Sequence, residues 1–208
     1  MTVVMNRSSL ILAVCALAVA LGALATSLLY SPSVRMGEVV SSGNALVGGA
    51  FEATDHTGKR VTHEDFAGKY ALYYFGYTYC PDVCPAELQV ISAALNEVPG
   101  AAENVQVIFV SIDPARDTPE IMKDYVANFW PGTVGLTGSE EDIRNVAGKF
   151  RVYYNKVAQD GDTSGDDYLM DHSSFVYLMG PDGKFIRHFP YGTSADEMAK
   201  ALKSEIKT

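Results

Sequence analysis

The sequence predicts an α/β sandwich, a central mixed sheet with flanking helices, behind an N-terminal membrane-spanning helix. Three observations carry this. Residues 10–30 contain no charged side chain. Two stretches, Tyr70–Tyr77 and Val105–Ile112, have the near-continuous hydrophobicity of strands buried on both faces. Segments of helical period opened by capping signals follow them, and a β-hairpin with a last helix closes the chain.

A short tail, residues 1–9, precedes the segment LILAVCALAVALGALATSLLY at 10–30. At about 1.5 Å per residue this makes a helix of roughly 31 Å, close to the hydrocarbon thickness of a bilayer. The predicted role is an uncleaved anchor. A cleaved signal peptide, with Ala23-Leu24-Ala25 as the small-residue cleavage site, is the competing reading. Cys15 lies inside the span with most of the apolar run after it, so it reads as a small apolar residue. Residues 31–45 are rich in Ser and Gly and read as a flexible tether, leaving 46–208 for one folded domain. The leader is short and lacks an Arg- and Ser-rich transit signal, which points to a bacterial inner-membrane protein.

The formal net charge of the 208 residues is −9, and setting Arg7 aside leaves 15 basic against 25 acidic groups. Such a surface repels nucleic acid phosphates and anionic lipid heads. Nucleic acid is therefore excluded as a partner.

Within the domain, Phe51–Asp55 and Arg60–Val61–Thr62 flank a glycine turn and form a hairpin. After the strand Tyr70–Tyr77, Leu88, Ile91, Ser92 and Leu95 recur at helical spacing. The strand Val105–Ile112 ends at Asp113-Pro114. Thr118-Pro119-Glu120 opens a helix with a capping residue and a first-turn proline, and Ser139 with Asp142 opens another, through Phe150. Phe175–Met179 and Lys184–Phe189 form a hairpin around Gly180-Pro181-Asp182-Gly183, and Ser194 with Glu197 caps the last helix. This order is that of a thioredoxin-like sandwich. A doubly wound nucleotide-binding sheet would want a glycine-rich first turn, where this chain has Cys-Pro-Asp-Val-Cys-Pro.

Cys80 follows the first buried strand and Cys84 falls in the first turn of the next helix, so both thiols share a face. A helix N-terminus favours thiolate over thiol. A disulfide closing so short a loop would contribute only about 2 kcal/mol. The pair therefore reads as reactive, metal-binding, or both. Of the four histidines, His56, His63 and His188 read as surface or packing residues. His172 differs because it immediately precedes Phe175–Met179, a strand expected to run antiparallel beside Tyr70–Tyr77. That neighbourhood brings His172 to the two cysteines across 88 residues of sequence from Cys84. Two thiolates and an imidazole suit copper, as Cu(I) or Cu(II). Structural zinc would want a fourth protein ligand, usually Cys or His, and none is obvious, although Asp82 could reach inward. Met170 reads as packing.

Phe75-Gly76-Tyr77-Thr78-Tyr79-Cys80-Pro81-Asp82-Val83-Cys84-Pro85, Ser111-Ile112-Asp113-Pro114-Ala115-Arg116-Asp117-Thr118-Pro119 and Tyr168-Leu169-Met170-Asp171-His172-Ser173 resemble three blocks of the Sco (SenC) family. The resemblance implies a membrane-tethered, thioredoxin-like copper metallochaperone. Its task would be assembly of the CuA centre of cytochrome c oxidase, with the soluble domain in the periplasm. It implies Cys80, Cys84 and His172 as copper ligands, with Asp171 beside them and Asp113 and Pro114 shaping the site. The implied partners are the CuA-bearing oxidase subunit, a copper donor and a thiol reductant. The alternative activity is thiol–disulfide exchange through Cys80 and Cys84, which would keep the CuA-site cysteines reduced. Asn155–Asp167 reads as a mobile loop whose closure brings His172 to the metal, or as a plain solvated connection.

Overall fold

Strand β3 (Tyr70–Gly76) is an interior strand of the sheet, and the other strands can be laid out from it. The computed structural model describes residues 47–158 and 167–206. Beside β3, parallel, runs β4 (Val105–Ser111), and parallel to that runs β5 (Val134–Thr137). A hairpin of β1 (Glu52–Asp55) and β2 (Arg60–Thr62) extends the sheet beyond β5. On the other side of β3 lies a hairpin of β8 (Phe175–Met179) and β9 (Phe185–Pro190), both pairs antiparallel. The strand order is β2-β1-β5-β4-β3-β8-β9. A separate two-stranded sheet joins β6 (Tyr154–Ala158) to β7 (Tyr168–His172).

The central strands carry apolar and aromatic side chains on both faces because both faces are covered. Tyr74, Phe75 and Phe109 are fully buried with Phe150. The helices are α1 (Val83–Asn96), a single turn α2 (Ala101–Asn104), α3 (Pro119–Val126), α4 (Glu140–Lys149) and α5 (Ala195–Glu205). The capping signals hold. Thr118 accepts from the Ile121 amide, and Ser139 with Asp142 and Ser194 with Glu197 form capping boxes. Asp142 also receives two hydrogen bonds from the Arg60 guanidinium, at 2.8 and 3.1 Å. That partner above all holds its carboxyl down at about 2. The mixed sheet with flanking helices is thus the expected architecture.

Two expectations need correction. The order read from sequence omits β5, whose four residues Val-Gly-Leu-Thr are too few to give a pattern. The segment 155–158, read as part of a loop, is strand β6 and pairs residue by residue with β7. It escapes notice because its outward residues are polar or exposed throughout, giving no alternation. Residues 159–166, the expected membrane helix at 10–30 and the tether at 31–45 lie outside the described residues. Among the described residues no helix is long and apolar enough to cross a membrane.

Candidate metal centre

The register of β3 against β8 sets the site. Tyr74 lies opposite Val176, so the start of β8 stands level with the end of β3. His172, the last residue of β7, precedes β8 by only three positions. The chain leaving β3 turns through Cys80, whose amide donates to the Tyr77 carbonyl, and enters α1 at Val83. Both cysteines are free thiols, Cys80 half-buried and Cys84 fully buried.

His172 presents Nε2 to the Cys84 sulfur at 3.7 Å, and its Nδ1 lies 3.1 Å from the Ser173 carbonyl. A carbonyl only accepts, so Nδ1 carries the proton and Nε2 keeps its lone pair towards the sulfur. Metal-binding histidines are commonly fixed in this way. The ring also meets the Tyr77 ring edge-on, with centroids 6.3 Å apart. Two donors on one ion, with bonds of about 2.3 Å to sulfur and 2.0 Å to nitrogen, stand roughly 3.5–3.8 Å apart. The Cys84–His172 spacing falls in that window. Among the described residues no three His, Cys, Asp or Glu side chains are gathered tightly enough to enclose an ion as they stand. Cys80 and His172 line one cleft of about 250 Å³. A larger cleft beside Phe51 and His63, about 470 Å³, holds no thiol. Chemistry, not size, selects the site.

The two thiols differ in acidity. The Cys84 thiol donates towards Cys80, and the Cys80 sulfur also accepts from backbone amides, among them Cys84 at 3.4 Å. Together these bring Cys80 down to about 5, despite partial burial. Cys84 is pushed up by the same pairing and by its burial, so it stays a thiol. Iodoacetamide should therefore label Cys80 with a rate that rises through about pH 5 and levels off by neutrality. Cys84 should stay unlabelled in the folded protein, as peptide mass mapping would show.

The other expected site residues fall out unevenly. Asp82 lines the same cleft as Cys80 and His172. It is exposed at the N-cap of α1, and it is its backbone amide that reaches Cys80. Asp171 is exposed on the wall of the cleft. Asp113 is fully buried, its carboxylate taken up by Arg116 and by the Tyr168 hydroxyl, so it shapes the surroundings. His56 accepts from the Gly135 amide, while His63 and His188 pack against phenylalanines. Met170 is buried.

Sequence reasoning missed Glu87. It sits on the buried face of α1 with Cys84, Leu88 and Ile91, and its Oε1 has no hydrogen-bond partner. Its position three residues after Cys84, in phase with Ile91, was the available signal. Burial pushes its carboxyl up to about 6 from an ordinary 4.5. Stability linked to this group is present in full below 4.5 and is lost as pH rises through 6. Glu87→Gln should remove that loss, leaving the variant more stable than wild type at pH 8 by about 1–2 kcal/mol and not at pH 4. Urea melts at the two pH values would read it.

Comparison with known proteins agrees with this geometry. The SCO1/SenC family model matches residues 39–207, which is most of the chain. The chain belongs to the SCO1/SenC family. "Protein sco1" of Schizosaccharomyces pombe is 48% identical over 163 residues, 78% of this chain and 62% of that protein. The structure of Bradyrhizobium japonicum ScoI with copper bound is 42% identical, with a TM-score of 0.69, covering 77% of this chain and 99% of that one. BsSco is described as a Sco-family cytochrome c oxidase assembly protein with a disulfide switch. It is 26% identical with a TM-score of 0.59, covering 78% and 95%. This SCO1/SenC chain spans between half and two thirds of the length of the first curated relatives it matches.

Proposed function

We propose that this chain is a copper metallochaperone that binds one copper through Cys80, Cys84 and His172 and assists assembly of the CuA centre of cytochrome c oxidase. The observation that carries the reading is the imidazole, tied back at Nδ1 with Nε2 at ligand distance from the Cys84 sulfur. The copper-bound Bradyrhizobium japonicum relative supports the choice of ion. Cys80, on the wall of the same cleft, turns its sulfur onto the ion to complete the set. Cu(I) takes both thiolates, and the imidazole makes the site acceptable to Cu(II) as well. Transfer runs by ligand exchange, with sulfur donors of a copper donor or of the CuA-bearing subunit replacing these ligands one at a time. The half-buried position of Cys80 gives an incoming ligand its first point of entry.

In this reading residues 10–30 anchor the domain to a bacterial inner membrane, and the domain works in the periplasm. The chain purified from copper-supplied cells should contain one copper. One tightly held zinc in its place would overturn the metal.

The unequal thiols favour a second reading, a thiol–disulfide reductase that keeps the CuA-site cysteines reduced. The Cys80 thiolate would attack a partner disulfide and release one partner thiolate. Cys84, losing its proton, would then attack the mixed disulfide and release the other. The partner gains two electrons and this chain leaves as the Cys80–Cys84 disulfide, which a thiol reductant restores. Loss of oxidase assembly in Cys84→Ser, rescued by added dithiol reductant without added copper, would favour this reading.

A further inference from the structure

We propose that Arg116 is the positioning residue that sets where His172 stands relative to the two cysteines. This rests on the reading of Cys80, Cys84 and His172 as one copper site. The two-stranded sheet of β6 and β7 shares no hydrogen-bonded ladder with the seven-stranded sheet. A lone strand pair is only marginally stable in water. The placement of β7, and of His172 at its end, therefore depends on side chains that bind it to the rest of the fold.

The turn after β4 supplies them. The Arg116 guanidinium lies over the Tyr168 ring at 3.7 Å from its centroid, and Nη1 donates to the Tyr168 carbonyl at 3.0 Å. Its Nε donates to the buried Asp113 carboxylate, whose other oxygen accepts from the Tyr168 hydroxyl at 2.7 Å. Tyr168, the first residue of β7, is thus held by its backbone, its ring face and its hydroxyl. The same guanidinium lies 4.7 Å from the Tyr79 ring, next to Cys80, and 5.8 Å from the Tyr77 ring. One residue on, Asp117 accepts from the Thr78 amide and hydroxyl. A single turn therefore holds the cysteine loop on one side and the histidine strand on the other. The Tyr77 hydroxyl, meeting the Met170 backbone, adds a smaller tie. A lysine reproduces the charge but not the planar fork that bonds Asp113 and Tyr168 together.

The test uses Arg116→Lys and Tyr168→Phe, with two readouts. In the metal-free protein, nuclear Overhauser contacts between the Tyr77 and His172 rings, edge-on in wild type, report the histidine's position without copper. In the loaded protein, Cu(II) affinity and the nitrogen coupling seen by pulsed EPR report it at the ion. Arg116→Lys should lose the ring contacts and weaken Cu(II) about 10–100-fold, the range for outer partners of a metal site, while still binding Cu(I). Tyr168→Phe, which gives up one hydrogen bond, should shift both readouts in the same direction and carries the test if Arg116→Lys does not fold. Unchanged ring contacts in folded variants, with only a lower Tm, would overturn the proposal and leave Arg116 a stabilising residue. Wild-type Cu(II) binding in His172→Ala would instead fault the ligand assignment, which the metal-free ring contacts do not depend on.

Discussion

If the proposed ligand set is right, His172→Ala should abolish Cu(II) binding while leaving a two-thiolate site that still takes Cu(I). In the proposed site the imidazole is the nitrogen donor, its Nε2 facing Cys84 at 3.7 Å, and Cu(II) depends on nitrogen far more than Cu(I) does. The loss should exceed the roughly 10–100-fold typical of removing a mere outer partner. His172 is half-buried at a strand end, so the fold should survive. Competition titrations with each oxidation state, together with thermal melts, would measure the effects separately. Equal Cu(II) affinity in variant and wild type would remove His172 from the site. Disulfide reduction, which needs only Cys80 and Cys84, should persist in the variant.

Gly76→Ala should damage the fold and the site together. A Cβ at this position would stand 2.7 Å from the Cys84 sulfur and 2.9 Å from Phe109 Cε2. Neither neighbour has room to withdraw. Phe109 is fully buried among Tyr74 and Tyr125, with ring centroids 6.1 and 5.2 Å away, and Cys84 is fully buried on α1. Overpacking of this kind costs about 1–3 kcal/mol, which lowers Tm by roughly 2–4 °C per kcal/mol at this size. Moving Cys84 also breaks its spacing from His172, so copper affinity should fall with Tm. Gly148→Ala is the control. It lies in α4, nothing stands within 4 Å of its added carbon, and helical Gly→Ala stabilises by roughly 0.5–1 kcal/mol. A Gly76→Ala protein as stable as wild type would show that α1 can slide away from the sheet without cost.

The legible parts of this protein are those where a local pattern coincides with a tertiary demand. β3 and β4 are buried on both faces and therefore read as near-continuous apolar runs, and every helix opened by a Ser or Thr cap begins where the cap predicts. The nearness of His172 to Cys84 followed from strand adjacency alone, because β8 had to return beside β3. β6 was illegible because four of its five residues are exposed and it owes its existence to β7 rather than to a core. The stacking of Arg116 on Tyr168 spans 52 residues and has no periodic signature. Glu87 reads as an ordinary helical acid until the fold shows it buried, with Oε1 left without a partner. The backbone amide of Asp82, which reaches the Cys80 sulfur, has no signature in the side-chain sequence.

X-ray absorption at the copper edge of the Cu(I)-loaded chain tests the central assignment most directly. The account predicts one copper per chain with two sulfurs and one imidazole nitrogen in its shell, the nitrogen signal vanishing in His172→Ala. A sulfur-only shell unaffected by that substitution would contradict it.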